Sequence, residues 1–250
     1  MIYIDQLGNQ LDIDHTPSRI ISVVPSITEL LFDLGLGDKI IGCTKFCVHP
    51  NKPYLTKSMI GGTKDLNLEK IVKLNPDLIL ANKEENNKKQ IEYLSASVPV
   101  WISDVKTFDD SLKMIEQIGL ITGTSFRAKE IINQLNNYLK PKAPLKKAIY
   151  LIWKDPYMTV GGDTYINDML NRCGYINLFS EQNRYPIVTL EEISDYKPDV
   201  ILLSSEPYPF KEEHLKTIKG LIKNTDVELV DGEFYSWYGS RQIHITAKNI

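Results

Sequence analysis

Cys43, Cys47 and His49 stand in the pattern Cys-x3-Cys-x-His. Thiols and imidazoles are ligands that zinc prefers, but a zinc site wants about four of them. The spacing is not that of a standard finger, and no fourth ligand stands nearby. Cys43 ends an apolar run and reads as core. Cys47 and His49 fall in the loop before Pro50, so packing and ligation both stay open for them. The chain has four histidines, too few for a cage around a bare divalent cation. It contains no Gly-x-Ser-x-Gly, no Walker loop and no HExxH. Gly161-Gly162-Asp163 reads as a turn before a helix. No nucleophile–base pair emerges, and the chain is not expected to be an enzyme. Aromatic side chains crowd the second half, among them Trp153, Tyr157, Tyr185, Tyr208, Trp237 and Tyr238. The stretch Glu233–Arg241 follows Asp231-Gly232. Its flat rings and single arginine suit a large, partly apolar, anionic ligand.

The elements that must position these residues alternate in type. Ile20–Val24 is a buried strand, stopped at Pro25. Ser26 with Glu29 three residues later reads as a capping box, followed by Ile27, Leu30, Leu31 and Leu34 at helical spacing. Further strands are expected at 39–43, 77–81, 98–102, 147–153, 198–203 and 227–230, with helices between them. Such alternation predicts βαβ units and mainly parallel sheets. Residues 107–140 differ. Their apolar positions keep a roughly 3.6-residue period with Gly119 and Gly123 as breakers. One helix there would be roughly 50 Å long; two helices broken near Gly123-Thr124 satisfy the same pattern.

A repeat supports two lobes. Leu68–Leu80 matches Leu190–Leu202 at an offset of 122 residues (190 − 68), with Leu, Glu, Ile, Pro, Asp, Ile and Leu identical at matched positions. Glu84 and Glu206 follow the two strands at the same offset. Each lies just past the carboxyl end of a parallel strand, where open α/β sheets bind ligands. Two lobes with facing strand ends would form a cleft, and domain interfaces favour small-molecule sites.

Bulk properties narrow the choices. The 250 residues carry 29 basic and 32 acidic side chains, a net charge of −3 and a pI near 5.9. That argues against nucleic acid as a partner. No apolar run approaches membrane-spanning length. Three cysteines do not make a disulfide framework and suit a reducing compartment. Met1 leads straight into Ile-Tyr-Ile-Asp without the marks of a secretory signal.

Asp5-x2-Gly8, Pro17-x-Arg19-Ile20 and Pro25-Ser26-x-Thr28-Glu29-Leu30 together resemble the start of the substrate-binding proteins for cobalamin and ferric siderophores. Asn67-Leu68-Glu69-x-Ile71 and Pro76-Asp77-Leu78-Ile79 are similar to that family too. The resemblance, to the class III periplasmic binding protein fold of the helical-backbone metal receptors, runs from about residue 2 to 248. It implies an α/β fold of two lobes, each with a mainly parallel central sheet flanked by helices, joined by one long backbone helix. The expected boundaries are 1–106, 107–141 and 142–250. It further implies a monomer that captures a metal chelate, a corrinoid or ferric siderophore, for an ABC importer permease, with no resident cofactor or metal. It implies a location in the cell envelope, while the missing signal points inside the cell.

Family pockets map to Pro25 and Ser26, to the loop Asn82–Glu85 and to the loop Glu233–Arg241. A tryptophan frequent in cobalamin receptors is Asn82 here. In the resulting site, Trp153, Tyr157, Tyr185, Tyr208, Trp237 and Tyr238 cover the ligand's apolar faces. Lys45, Lys83 and Arg241 pair with its acidic groups. Glu84 and Glu206 take hydrogen bonds or contact the metal, with Glu85, Cys47 and His49 alongside. Family members dock through one glutamate per lobe. Lys88 stands at the first such position, with Glu84, Glu85, Glu212 and Glu213 nearby. The rival expectation is an intracellular metal-binding enzyme or metallochaperone built on Cys47, His49 and the glutamates.

Overall fold

The structure, a computed structural model, describes residues 1–50 and 56–246. The chain divides into two compact units. The first takes Met1–Val105, Asp109–Leu135 and the segment from Tyr238 onward; the second takes Lys106–Phe108 and Asn136–Trp237.

In the first unit, β1 (Ile2–Ile4) and β2 (Gln10–Asp12) pair antiparallel around a turn. Gly8 has a φ of +86° there, and Asp5 Oδ1 accepts from the amides of Leu7 and Asn9. Next come β3 (Ile20–Ser22), α1 (Pro25–Asp33), β4 (Ile40–Cys43), β5 (Ser58–Met59), α2 (Leu68–Lys73), β6 (Leu78–Asn82), α3 (Lys88–Ser95) and β7 (Val100–Ser103). Their sheet is parallel, in the order β5-β4-β3-β6-β7. Strands β3 and β6 are buried along their whole length, which explains why both read as unbroken apolar runs.

Two expectations for this unit are corrected. Helix α1 does not open with a Ser26–Glu29 capping box. Val24 is its N-cap and Pro25 its first residue, a position where proline's missing N–H costs nothing. The connecting segment is not one long helix. It forms α4 (Phe108–Thr122) and α5 (Ser125–Tyr138). Gly123 takes a φ of +73°, and a Cβ added at Gly119 would lie 2.5 Å from the Ala128 Cβ. Nine residues of straight helix would hold those positions about 13 Å apart along the axis. The chain therefore turns at Gly123, and Gly119 leaves room for Ala128.

In the second unit, β8 (Lys146–Leu151), α6 (Tyr165–Arg172), β9 (Tyr175–Asn177), α7 (Leu190–Asp195), β10 (Val200–Ser204), α8 (Glu212–Leu221), β11 (Asp226–Val230) and α9 (Gly232–Ser236) succeed one another. The sheet is again parallel, in the order β11-β10-β8-β9. One core cluster packs Ile149, Leu151, Ile201 and Leu203 against Phe179, Ile193 and Ile218. The chain then adds α10 (Arg241–Thr246) to the first unit.

The 122-residue repeat is physical. Asn75 and Lys197 both take left-handed conformations, with φ of +48° and +47°. Asp77 accepts from the amide of Arg19 at 2.9 Å, just before β3; Asp199 accepts from that of Lys147 at 2.7 Å, the second residue of β8. The shared Pro-Asp thus fixes where the neighbouring parallel strand begins. Among the described residues, no helix is long and apolar enough to cross a membrane.

The Gly123 turn generates a stability prediction. A side chain at positive φ costs about 1–2 kcal/mol. Gly123→Ala should lower the free energy of urea unfolding by that amount, while an Ala substitution at the exposed Lys129 should change it little.

Candidate functional site

The parallel strands of each unit end in loops, and most of the expected site residues sit there. Asn82, the last residue of β6, is buried and holds the loop that follows it from both sides. Its Oδ1 accepts from the amides of Glu84 and Glu85 at 2.8 and 3.0 Å; its Nδ2 donates to Ser103 Oγ at 3.0 Å. Asn86 donates to the carbonyls of Val23 and Thr63, tying the same loop to the end of β3. The backbone at Glu84 and Glu85 is therefore fixed. Burial raises the Glu85 carboxyl above its ordinary value, and the neighbouring Glu84 charge raises it further.

Around this loop, Pro25 is half-buried at the start of α1 and Ser26 is buried. Lys45 is exposed and lies 5.3 Å over the Phe46 ring. His49 is half-buried close enough to Glu29 for its charge to be felt there. Lys83 is exposed, but its Nζ is 2.7 Å from Asp104 Oδ2.

Three expected residues of this unit turn inward, which corrects their reading as groups presented to a ligand. Arg241 is buried and donates from Nη1 to Glu29 Oε1 at 2.6 Å, so its charge is spent on a carboxylate of α1. Tyr238 is buried beside Ser26 and Ser103, and burial, with the Glu85 charge, raises its phenol well above the ordinary value. Cys47 is 2% exposed, with its Sγ 3.3 Å from Thr28 Oγ1 and 3.5 Å from Thr44 Oγ1.

In the second unit, Trp153, just past β8, is 40% exposed and meets the Tyr208 ring edge-on at 5.7 Å. Tyr208 also hydrogen-bonds His214 Nε2 through its hydroxyl, 3.1 Å, which fixes the ring. Tyr157 is half-buried against the core cluster, and burial raises its phenol. Tyr185 is half-buried with the Arg184 guanidinium 5.5 Å over its ring. Glu206 follows β10, where Ser204 Oγ accepts from its amide at 3.3 Å. Its Oε1 accepts from Ser236 Oγ at 2.6 Å, and Trp237 hydrogen-bonds the same carboxylate. Burial still raises the carboxyl. Gly232 makes this packing possible, since a Cβ there would lie 2.5 Å from Glu206 Cγ.

Several site residues were not singled out in the sequence. Lys154 lies beside Tyr157 and Tyr208 and pairs with Asp155 at 3.2 Å, which raises its ammonium. It adds a cation to the aromatic face. Glu29, Asp33 and His244 form the contacts that hold α10 to α1. An acid among Ile27, Leu30 and Leu31 is a readable signal, because a carboxylate on a buried helix face needs a partner. Among the described residues, no group of three or more His, Cys, Asp or Glu side chains is placed to hold a metal ion. A separate cavity of about 1020 Å³ in the first unit lies beside β7; Asn82, Lys83 and Lys88 are among its lining residues.

Residues 20–228 match the family model described as periplasmic binding protein. An uncharacterized ABC transporter substrate-binding lipoprotein from Bacillus subtilis is 30% identical over 217 residues, covering 80% of this chain and 68% of that one. A vitamin B12-binding protein from Vibrio parahaemolyticus is 26% identical, covering 81% and 77%. Among solved structures, a possible iron-binding (periplasmic solute-binding) protein from Staphylococcus epidermidis superposes with a TM-score of 0.77 at 26% identity, covering 92% and 96%.

The attachment of α10 generates two predictions. Removing one partner of a buried ion pair leaves an uncompensated charge and costs about 3–5 kcal/mol. Arg241→Met should show that loss in urea unfolding, and adding Glu29→Leu should recover most of it. His244 Nε2 is 2.8 Å from Asp33 Oδ2, a contact that raises the imidazole above its ordinary value of 6.5. A raised folded-state value means stability that is complete below about pH 6.5 and lost as pH rises through the raised value. The wild-type minus His244→Gln difference in unfolding free energy should therefore shrink from mildly acidic to alkaline pH.

Proposed function

This chain belongs to the periplasmic binding protein family, and we propose that it captures a metal chelate, a corrinoid or an iron chelate, for delivery to an ABC importer. It is a substrate-binding protein and not an enzyme. The observation that carries the chelate class is the pair Trp153 and Tyr208, held ring to ring at a strand end with Lys154 beside them. Such a face takes the apolar edges of a large macrocycle or aryl chelator and neutralises one of its acidic groups. Relatives whose names record vitamin B12 and iron support the same class.

Trp153, Tyr208, Tyr157 and Trp237 supply ring faces. Lys154 supplies a cation beside them, while Arg241 is buried. Glu206, prealigned by Ser236, accepts hydrogen bonds from amide or hydroxyl groups of the ligand. We place the protein in the cell envelope, where its relatives work. Its docking acids are Glu212 and Glu213, both exposed in the first turn of α8. Lys88 pairs with Glu92 at 3.7 Å along α3 and presents the opposite charge in the first unit.

Isothermal titration of the purified chain with hydroxocobalamin, hemin and a ferric catecholate tests the reading. One of the three should bind with one-to-one stoichiometry. Trp153→Ala should weaken it tenfold or more without changing the unfolding midpoint. No heat and no spectral change with any of the three would overturn the proposal.

A further inference from the structure

Tyr208 brings more to the aromatic face than its ring. Three side chains meet that ring edge-on, with centroid distances of 5.7 Å to Trp153, 4.9 Å to Phe210 and 5.4 Å to His214. Its amide donates at 3.3 Å to the carbonyl of Ile152, the residue before Trp153. Backbone and ring are both held, so the hydroxyl keeps one position. That hydroxyl lies 3.1 Å from His214 Nε2. The far side of the imidazole decides which of the two gives the proton.

Lys211 is the N-cap of α8, and its amide donates to His214 Nδ1 at 2.9 Å. A ring nitrogen that accepts a hydrogen bond presents its lone pair and carries no proton, which leaves the ring N–H on Nε2. Nε2 therefore donates, and Tyr208 Oη accepts. Glu213 Oε1 is 3.9 Å from the same nitrogen, beyond hydrogen-bond reach. Having accepted from His214, the phenol keeps its own proton to give, and among the described residues no acceptor is placed to take it.

We propose that Tyr208 is a specificity-determining residue whose hydroxyl acts as a donor, so that a chelate seated against Trp153 and Tyr208 must present an acceptor oxygen there. The inference rests on the chelate reading above and adds the polarity of one contact. The relay runs one way, from the Lys211 amide through the imidazole to the phenol, and each link polarises the next. An oxygen without a proton of its own completes it: a carboxylate, an amide carbonyl or a catecholate oxygen. A group that only donates, such as an ammonium, would set two donors against each other and leave both unpaired. The relay is not sealed in the core. Tyr208 and His214 are both half-buried, and Glu213, which comes within 3.9 Å of Nε2, is exposed. Glu206, two residues before Tyr208, has the opposite polarity, since its Oε1 accepts from Ser236. The loop after β10 thus offers a ligand one acceptor and one donor.

Two measurements test the assignment, one of them without ligand. In the isotopically labelled chain at neutral pH, long-range proton–nitrogen correlation of the His214 ring should show Nε2 protonated and Nδ1 bare. The signals are identified by their loss in His214→Leu. A proton on Nδ1 overturns the proposal before any ligand is added. The second measurement uses hydroxocobalamin, hemin and the ferric catecholate, whose rims carry amide carbonyls, carboxylates and catecholate oxygens respectively. For whichever binds the wild type, Tyr208→Phe keeps the ring and should weaken binding about tenfold, the worth of one hydrogen bond, at an unchanged unfolding midpoint. His214→Leu should weaken binding severalfold in the wild-type background and not at all in the Tyr208→Phe background, a coupling that independent packing roles would not give. Equal affinity of wild type and Tyr208→Phe overturns this proposal and leaves the chelate reading standing. Failure of all three probes to bind overturns the chelate reading and this contact with it.

Discussion

Where a parallel strand ends, its loop has amides that no neighbouring strand can satisfy, and leaving them buried and unpaired is costly. Asn82 solves this for β6 by accepting two of them on one side-chain oxygen. Ser204 does the same for β10 with a hydroxyl. In each unit the amide so fixed belongs to a glutamate, Glu84 or Glu206. The acidic side chains of the candidate site are thus positioned by the need to finish the sheet, and the rest of each face is arranged around them.

The same economy accounts for the repeat. Asp77 and Asp199 each accept from an amide at or just before the start of the adjacent strand, so one short helix–Pro-Asp–strand segment fixes its own strand and its neighbour's register. Beyond the strand the two units diverge. The first unit closes its loop with amides and buries Tyr238 behind it; the second opens an aromatic face, with Trp153 and Tyr208 held ring to ring and Lys154 alongside. Two copies of one framework carry different chemistry because the framework constrains the backbone and leaves the side chains beyond it unconstrained.

Much of the fold was legible in the residues. Buried strands of β3, β6 and β10 appear as apolar runs because both faces are covered. The α4–α5 break was legible too, in Gly119 and Gly123, and the pattern of residues read it better than resemblance to a family did. The site was legible only in part. Trp153, Tyr208 and Glu206 were singled out because they come just after strands. Arg241 and Tyr238 were read as ligand contacts and Cys47 was left open between packing and ligation, since proximity to a loop says nothing about which way a side chain turns. Arg241 meets an acid 212 residues away in sequence.

By itself the sequence determined the α/β class, the parallel sheets and the duplicated strand-end framework, because these rest on periodicity and on contacts between residues near one another in the chain; its motifs carried the resemblance to the family. Tertiary structure alone decided which charges are consumed in pairs and which phenol is buried. Those outcomes depend on long-range packing, where a partner is chosen by what the fold brings within 3–4 Å and not by what stands beside it in the chain.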